Sequence, residues 1–435
     1  MKIYCAEESE KNLSFVRAQK VLKFEFTVEA ITILVKSIKR HQVAHFIGDD
    51  PTPQKQTLKY NYTKGDYESF RNFILSLCIT EQLRENKYNV NEVFELIYEA
   101  LVVGQNKFIL TIAYSQLYKN RQTLPREILQ AISEKNYWWR EYIKIRSTES
   151  WIRYKRATRL LRSNREALES SVIASAQSCP KRLWKYLRKN QTSQSPFSTS
   201  FTDPEKQTNI YDDNEKAEHF NKLFSSVFTR PHNETPIDPN FSTNFTIDFD
   251  DSDFEDQQVF EVLKHLDTNK SPDIHGFSIH MIRELATVLT EPLTHLYNLC
   301  LASGTCPLAW KKAIIKPLYK SGTKTQFKNY RPISNTSIFS RVMEKLIVKR
   351  IQNYFESNLL WHPSQHGFHK KRSCNTQLLE VITDFHRMAD EGLRFDCIYI
   401  DFSKAFDKIS IPLLLQKYEV YHLGGRMLNW IGDYL

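Results

Sequence analysis

A multidomain chain, mainly α with an α+β part, is expected: a helical N-terminal connector followed by a mixed C-terminal domain. Glycine is scarce, 11 residues in 435, where average usage of about 7% gives roughly 30. None lies between Gly104 and Gly276, which argues against a glycine-rich nucleotide loop and against a turn-rich all-β fold. Between Pro125 and Pro180 neither proline nor glycine forces a helix to break. A chain of 435 residues has room for two or three ordinary domains. The pattern divides it at 1–125, 126–235 and 236–435.

The first region shows one clear element. "KYNYTKGDYESFRNFILSL" reads as a turn and an amphipathic helix, with Tyr67, Phe70, Ile74 and Leu77 at helical spacing; no chemistry is legible in this third. The second region is basic. "EYIKIRSTESWIRYKRATRLLRSNREAL" interleaves Arg153, Lys155, Arg156, Arg159, Arg162 and Arg165 with Tyr142, Trp151 and Tyr154, and "KRLWKYLRKN" continues the theme. Two readings stay open: a solvated helix face with aromatics packed inward, or a phosphate-binding surface with aromatics available to bases. A polar linker spans Asn190 to Gln207. A helix bearing Ala217, Phe220, Leu223, Phe224 and Val227 follows. The acidic run Asp248 to Asp256 reads as solvated surface and the start of a helix carrying Val259, Val262, Leu263 and Leu266. "KKAIIKPLYK" is a short strand, broken by Pro317. Phe339, Val342, Met343, Leu346 and Ile347 form a helical stripe, and Leu378, Ile382 and Phe385 mark a further helix that Gly392 ends. "FDCIYID" reads as a strand.

Net charge is +10, which suits a polyanionic partner, nucleic acid first and membrane surface second. No apolar run approaches the roughly 18 residues of a membrane span. The opening MKIYCAEESEKN is too polar for a secretory signal. The seven cysteines, Cys5, Cys78, Cys179, Cys300, Cys306, Cys374 and Cys397, form no C-x-x-C pair. That argues against a disulfide framework or zinc knuckle, and for a reducing intracellular compartment.

The sharpest chemical signal is "IYIDFSKAFDKIS". In an alternating strand Ile398 and Ile400 face one side and Tyr399 and Asp401 the other. A buried, unpaired carboxylate is costly, so Asp401 either caps the next turn or holds a cation. His362, His366 and His369 in "WHPSQHGFH" have tempting metal spacing, but Pro363 and Gly367 break the helix it needs and no acid or cysteine accompanies them. The acid pairs in "HFIGDD" and "IYDDN" lie far upstream of Asp401, and the second leads into a helix where Asp serves as an N-terminal charge.

The final 170 or so residues resemble the reverse transcriptase domain of non-LTR, LINE-type retrotransposons. Six stretches follow the family's boxes in order. "NKSPDIHGFSIHMIREL" is similar to K-S-P-G-P-D-G. "GTCPLAWKKAIIKPLYKSG" resembles G-x-x-P-x-x-W-K…P-x-x-K, and "NYRPISNTSIFSRVMEKLIVKRI" resembles N-Y-R-P-I-S…E-K. "SQHGFHKKRSCNTQLL" is similar to Q-[FH]-G-F-R-x-G-R-S. "IYIDFSKAFDKIS" matches D-x-x-K-A-F-D, and "LGGRMLNWIGDYL" matches G-x-x-L-x-W-[IL]-x-x-[YF]-L. More weakly, "YNYTKGDYESF", "YWWR" and "DDNEKAEHFNKLFSSVF" resemble segments between the family's endonuclease and its polymerase fingers.

The resemblance implies right-hand polymerase fingers and a partial palm, copying an RNA template onto a DNA primer or target from dNTPs. It implies two-metal transfer with Mg²⁺, or Mn²⁺ in its place. By the same resemblance Asp401 is the catalytic, metal-holding acid and Phe406 the aromatic under the incoming sugar. Lys320 and Arg331 grip the triphosphate, and Arg372 lies near template or nucleotide. Asp407 becomes a helix-start residue rather than a ligand. Asp273, Ile274 and His275 depart from G-P-D, and His369 and Lys371 depart from the basic and small residues of their box. The family's aromatic-x-Asp-Asp box is not met before Leu435. One carboxylate cannot hold two metals, so the chain alone is expected to be inactive, and a non-catalytic nucleic-acid-binding remnant is the alternative.

Overall fold

The computed structural model describes residues 2–6, 57–114, 125–175, 200–228, 248–402 and 404–435. "KRLWKYLRKN", "HFIGDD" and most of the 190–207 linker lie outside them. The chain divides into two compact units. One comprises Met1–Pro51, Tyr60–Thr111 and Thr199–Leu435; the other comprises Thr52–Lys59 and Ile112–Ser198.

In the larger unit, β1 (Lys2–Ala6) is followed by β2 (Thr57–Tyr60) at the unit boundary and then by three helices, α1 (Tyr67–Ser76), α2 (Ile79–Glu85) and α3 (Val90–Phe108). Asp66 starts α1 by accepting the Ser69 N–H at 3.1 Å, and Phe70 and Ile74 face inward as their spacing predicts. Asn89 and Glu92 form a capping box at the start of α3. β3 (Thr111–Tyr114) pairs with β2.

The smaller unit holds most of β2 and β3 and a helical hairpin of α4 (Arg126–Ile145) and α5 (Thr148–Ala174). Arg146 turns the chain in the left-handed region, and Ser147 caps α5 by accepting the Ser150 N–H at 3.1 Å. Ile128, Ala131 and Leu161 are its buried centre, with Ile132 and Leu168 beside them.

The larger unit resumes with β4 (Phe201–Thr202), β5 (Asn209–Ile210) and α6 (Asp213–Ser225). Asp212 caps α6 through the Glu215 N–H at 2.9 Å, which is the helix-start role expected of "IYDDN". Then come α7 (Asp256–Lys264), α8 (Ile279–Glu284), α9 (Ala286–Ser303), β6 (Ile314–Tyr319), β7 (Tyr330–Asn335), α10 (Ile338–Ser357), α11 (Cys374–Asp390), β8 (Phe395–Tyr399), α12 (Ile411–Val420) and α13 (Gly425–Tyr434). One continuous core joins Phe70, Val93 and Leu101 to Leu293 and Leu296 of α9, Phe339, Val342 and Met343 of α10 and Trp430 of α13. The helices without legible chemistry therefore share a core with the motif-rich C-terminal half.

Two elements differ from expectation. Pro317 does not break its strand: β6 runs through it and pairs antiparallel with β7, with Pro317 opposite Pro332. Neither proline has an N–H, so the pair suits a ladder position where neither amide points at its partner. Helix α11 forms where Leu378 and Ile382 predict it, but they are 50% and 41% exposed; of this helix only Val381 is buried. Among the described residues no helix is long and apolar enough to cross a membrane.

Candidate functional site

The β6–β7 hairpin aligns three cations. Cross-strand partners share a face, and Lys316 lies opposite Ile333 and Leu318 opposite Arg331. Lys320, two residues beyond Leu318, continues that side, its backbone N–H donating to Asn329 at 2.9 Å. Lys316, Leu318, Lys320, Arg331 and Ile333 are all exposed. No ion pair among the described residues engages the three cations. The other face is anchored: Tyr330 and Phe327 pack on Phe201 and on Phe220 of α6, with Phe201–Phe327 centroids 4.6 Å apart. Lys320 and Arg331 thus stand together on one rigid, solvent-facing, cationic surface.

Asp401 stands two residues past the end of β8 and is exposed. Its carboxylate is therefore not buried, and the cost that framed its sequence reading does not arise. β8 pairs with β1 in the register Lys2↔Tyr399 to Ala6↔Phe395. A turn follows in which the Asp407 and Lys408 N–H groups donate to the Lys404 carbonyl at 3.1 and 3.2 Å. It leaves Phe406 38% exposed. Asp407 is half-buried, and burial raises its carboxyl pKa against the pull of Lys404. The start of α12 is capped by Ser410, which accepts the Leu413 N–H at 3.4 Å. The cap expected of Asp401 or Asp407 thus falls to Ser410. Among the described residues no three His, Cys, Asp or Glu side chains converge as a metal site.

Arg372 lies in the loop leading into α11. Its Nη1 donates to the Pro363 carbonyl and, at 3.0 Å, to that of Gln365, closing the loop on itself. Buried His366 links the loop to α11 through Thr376 at 2.8 Å and Glu380 at 2.5 Å. His369 meets the Trp361 ring edge-on at 5.1 Å, and His362 Nδ1 accepts the Ser364 N–H at 3.2 Å. The three histidines serve the loop, as their proline and glycine neighbours indicate.

Residues 319–435, which contain all five predicted site residues, match the family model "Reverse transcriptase (RNA-dependent DNA polymerase)". Over these residues the chain is similar to reverse transcriptase domains, and the relatives it aligns with are transposon proteins named as RNA-directed DNA polymerases. It is 28% identical over 211 residues to the "RNA-directed DNA polymerase from mobile element jockey" of Drosophila melanogaster, covering 47% of this chain and 23% of that protein. It is 26% identical over 162 residues to the "Probable RNA-directed DNA polymerase from transposon BS" of the same organism, covering 37% of this chain and 18% of that protein. The chain therefore spans less than a quarter of these relatives' lengths.

The boxes that flank the candidate site are tied together by residues that sequence reasoning read otherwise. Asp273, a departure from the family pattern, is buried. It accepts the N–H groups of His275 and Phe277 at 3.0 Å each and that of Ile338, at the start of α10, at 2.9 Å. Burial pushes its carboxyl pKa up, against the pull of His275 and these amides. The acidic run is more than solvated surface. Asp251 accepts the N–H groups of Arg426 and Met427 at 2.8 and 3.0 Å, and Asp253 holds the Arg426 guanidinium at 2.8 Å. Asp433 accepts from Lys311 at 2.8 Å and from the Cys306 N–H at 2.9 Å, joining α13 to the segment before β6.

Proposed function

We propose that this domain adds deoxynucleotides to a DNA primer on an RNA template, residues 236–435 forming the fingers and the first part of a palm. The observation that carries the reading is the Asp401–Phe406 segment: an exposed carboxylate just past a strand, with an aromatic ring left accessible by the next turn. Lys320 and Arg331 support it as a preformed cationic face for a triphosphate, the guanidinium able to take two phosphate oxygens at once. Phe406 lies under the incoming sugar and rejects a 2′-hydroxyl by bulk. Arg372 acts on the template or nucleotide side through the loop it closes. Such work places the protein inside the cell, in nucleus or cytoplasm.

Mg²⁺ takes one or two carboxylates together with substrate phosphates, and Asp401 is open to such an ion, with Mn²⁺ as a substitute. When bound, the metal would acidify the primer hydroxyl and neutralise triphosphate charge. Among the described residues no group of three or more His, Cys, Asp or Glu side chains is gathered at Asp401 to serve as a two-ion clamp. We therefore expect these 435 residues alone to bind template and primer without extending them efficiently. Nucleic-acid binding without catalysis is the second reading, favoured by the lack of a gathered metal-ligand group at Asp401 among the described residues.

Primer extension on an RNA template with Mg²⁺ or Mn²⁺ separates them. Extension that Asp401→Ala abolishes supports the polymerase. Extension indifferent to Asp401→Ala removes Asp401 from the site. Hybrid binding with no extension leaves the binding reading.

A further inference from the structure

The α4–α5 hairpin carries eleven Lys and Arg against six Glu over residues 126–174, half of the chain's net charge of +10. On α5, Lys155, Arg159 and Arg162 recur at i, i+4 and i+7, with Arg156 next to Lys155, and all four are exposed. Arg162 pairs with Glu166 at 2.9 Å. Among the described residues no carboxylate stands within ion-pair distance of Lys155, Arg156 or Arg159. Like charges three and four residues apart destabilise a helix, so this stripe is unfavourable until an anion covers it.

Aromatic rings run beside the cations. Lys155 Nζ lies 5.1 Å from the Trp151 ring centroid, and Trp151 stacks on Tyr154 at 5.5 Å. Tyr154 meets Trp139 at 5.0 Å, and Trp139 is 41% exposed. Tyr137, 55% exposed, stands edge-on to Trp138, whose ring carries the Arg153 guanidinium at 4.6 Å. A duplex hides the faces of its bases and has no use for exposed rings among cations; an unpaired strand uses both.

We propose that the hairpin binds single-stranded nucleic acid, Lys155, Arg156 and Arg159 taking phosphates and Tyr137 and Trp139 taking bases. The proposal stands on the hairpin alone and does not require the domain to polymerise. Its test is polarisation of a labelled oligonucleotide of mixed sequence, single-stranded RNA or DNA, titrated with the full chain across a range of KCl. The triple variant Lys155→Ala/Arg156→Ala/Arg159→Ala changes exposed side chains only, and circular dichroism checks that its helices persist. Three phosphate contacts at about 0.7 each predict that the slope of log K on log salt falls by about 2, with affinity about tenfold or more weaker at moderate salt. Tyr137→Ala should lose about fivefold with the slope unchanged. Unchanged affinity and slope in the triple variant overturn the proposal. So does duplex competing as well as single strand, or a slope that falls only in a parallel Lys320→Ala/Arg331→Ala variant.

Discussion

Arg350 on α10 has little solvent to fall back on, at 8% exposed. Its Nη1 and Nη2 donate to the Ser252 and Asp253 carbonyls at 2.6 and 3.0 Å, and its guanidinium lies 3.9 Å from the Phe254 ring centroid. Burial presses its pKa down, against the pull of Asp250 and Asp251. Removing it strands two carbonyls and an acidic run, so Arg350→Ala should cost about 3 kcal/mol in urea unfolding. Lysine cannot reproduce a fork that also stacks on a ring, so Arg350→Lys should recover only part. Asp433 supplies a pH dependence. Burial raises its carboxyl pKa, but Lys311 and the Cys306 N–H outweigh it and hold the net value below normal. A folded value below the unfolded one stabilises above about pH 4, and that contribution fades as pH falls through the folded value. Asp433→Asn should therefore be less stable than the parent at neutral pH, with the gap in urea midpoint narrowing on acidification. Neither cluster was legible beforehand. Arg350 lies 98 residues from Ser252 and Asp433 lies 122 from Lys311, and charge pattern along a chain does not say which distant partner closes on it. The box that holds Asp401 and Phe406 can be read from the sequence alone because its spacing is local.

Elements were easier to read than their surroundings. The α10 stripe of Phe339, Val342, Met343, Leu346 and Ile347 is buried as its period demands. The same logic found α11 but not its exposure, because periodicity reports a face and not what covers it. Pro317 misled because a proline reads as a break until its partner strand is known to present Pro332 opposite it. Helix packing also reverses one rule of thumb. Gly→Ala inside a helix usually gains about 1 kcal/mol. A Cβ on Gly104 of α3 would lie 1.9 Å from the Phe70 ring of α1, a fully buried side chain. Gly104→Ala should instead cost about 1–3 kcal/mol through overpacking, read as a lower thermal midpoint, and adding Phe70→Leu should recover part of it. If Gly104→Ala alone stabilises, the α1–α3 contact is looser than these distances. Gly425, at φ +70, is constrained twice over: besides its backbone, a Cβ there would lie 2.4 Å from the Asp251 carboxylate that caps α13.

At the scale of the molecule, two units of very different core size share one chain. The larger rests on fully buried Leu293, Leu296, Tyr297, Phe339, Val342 and Trp430. The hairpin has Ile128, Ala131 and Leu161 at its centre and exposes Ile143, Ile145, Ile152 and Leu160. Apolar burial supplies most of the free energy that resists opening, so unfolding of the whole chain should not be a single two-state event. Native-state hydrogen exchange should find α4 and α5 amides opening at low denaturant, while α9 and α10 amides exchange only in the main transition. Single-stranded RNA should slow the hairpin amides selectively, since a ligand that binds only the closed form stabilises it by mass action. Equal protection across both sets of helices would show that the hairpin borrows stability from beyond its own three-residue centre. Protection by RNA confined to the β6–β7 hairpin would move the single-strand site from the small unit to the face of Lys316, Lys320 and Arg331.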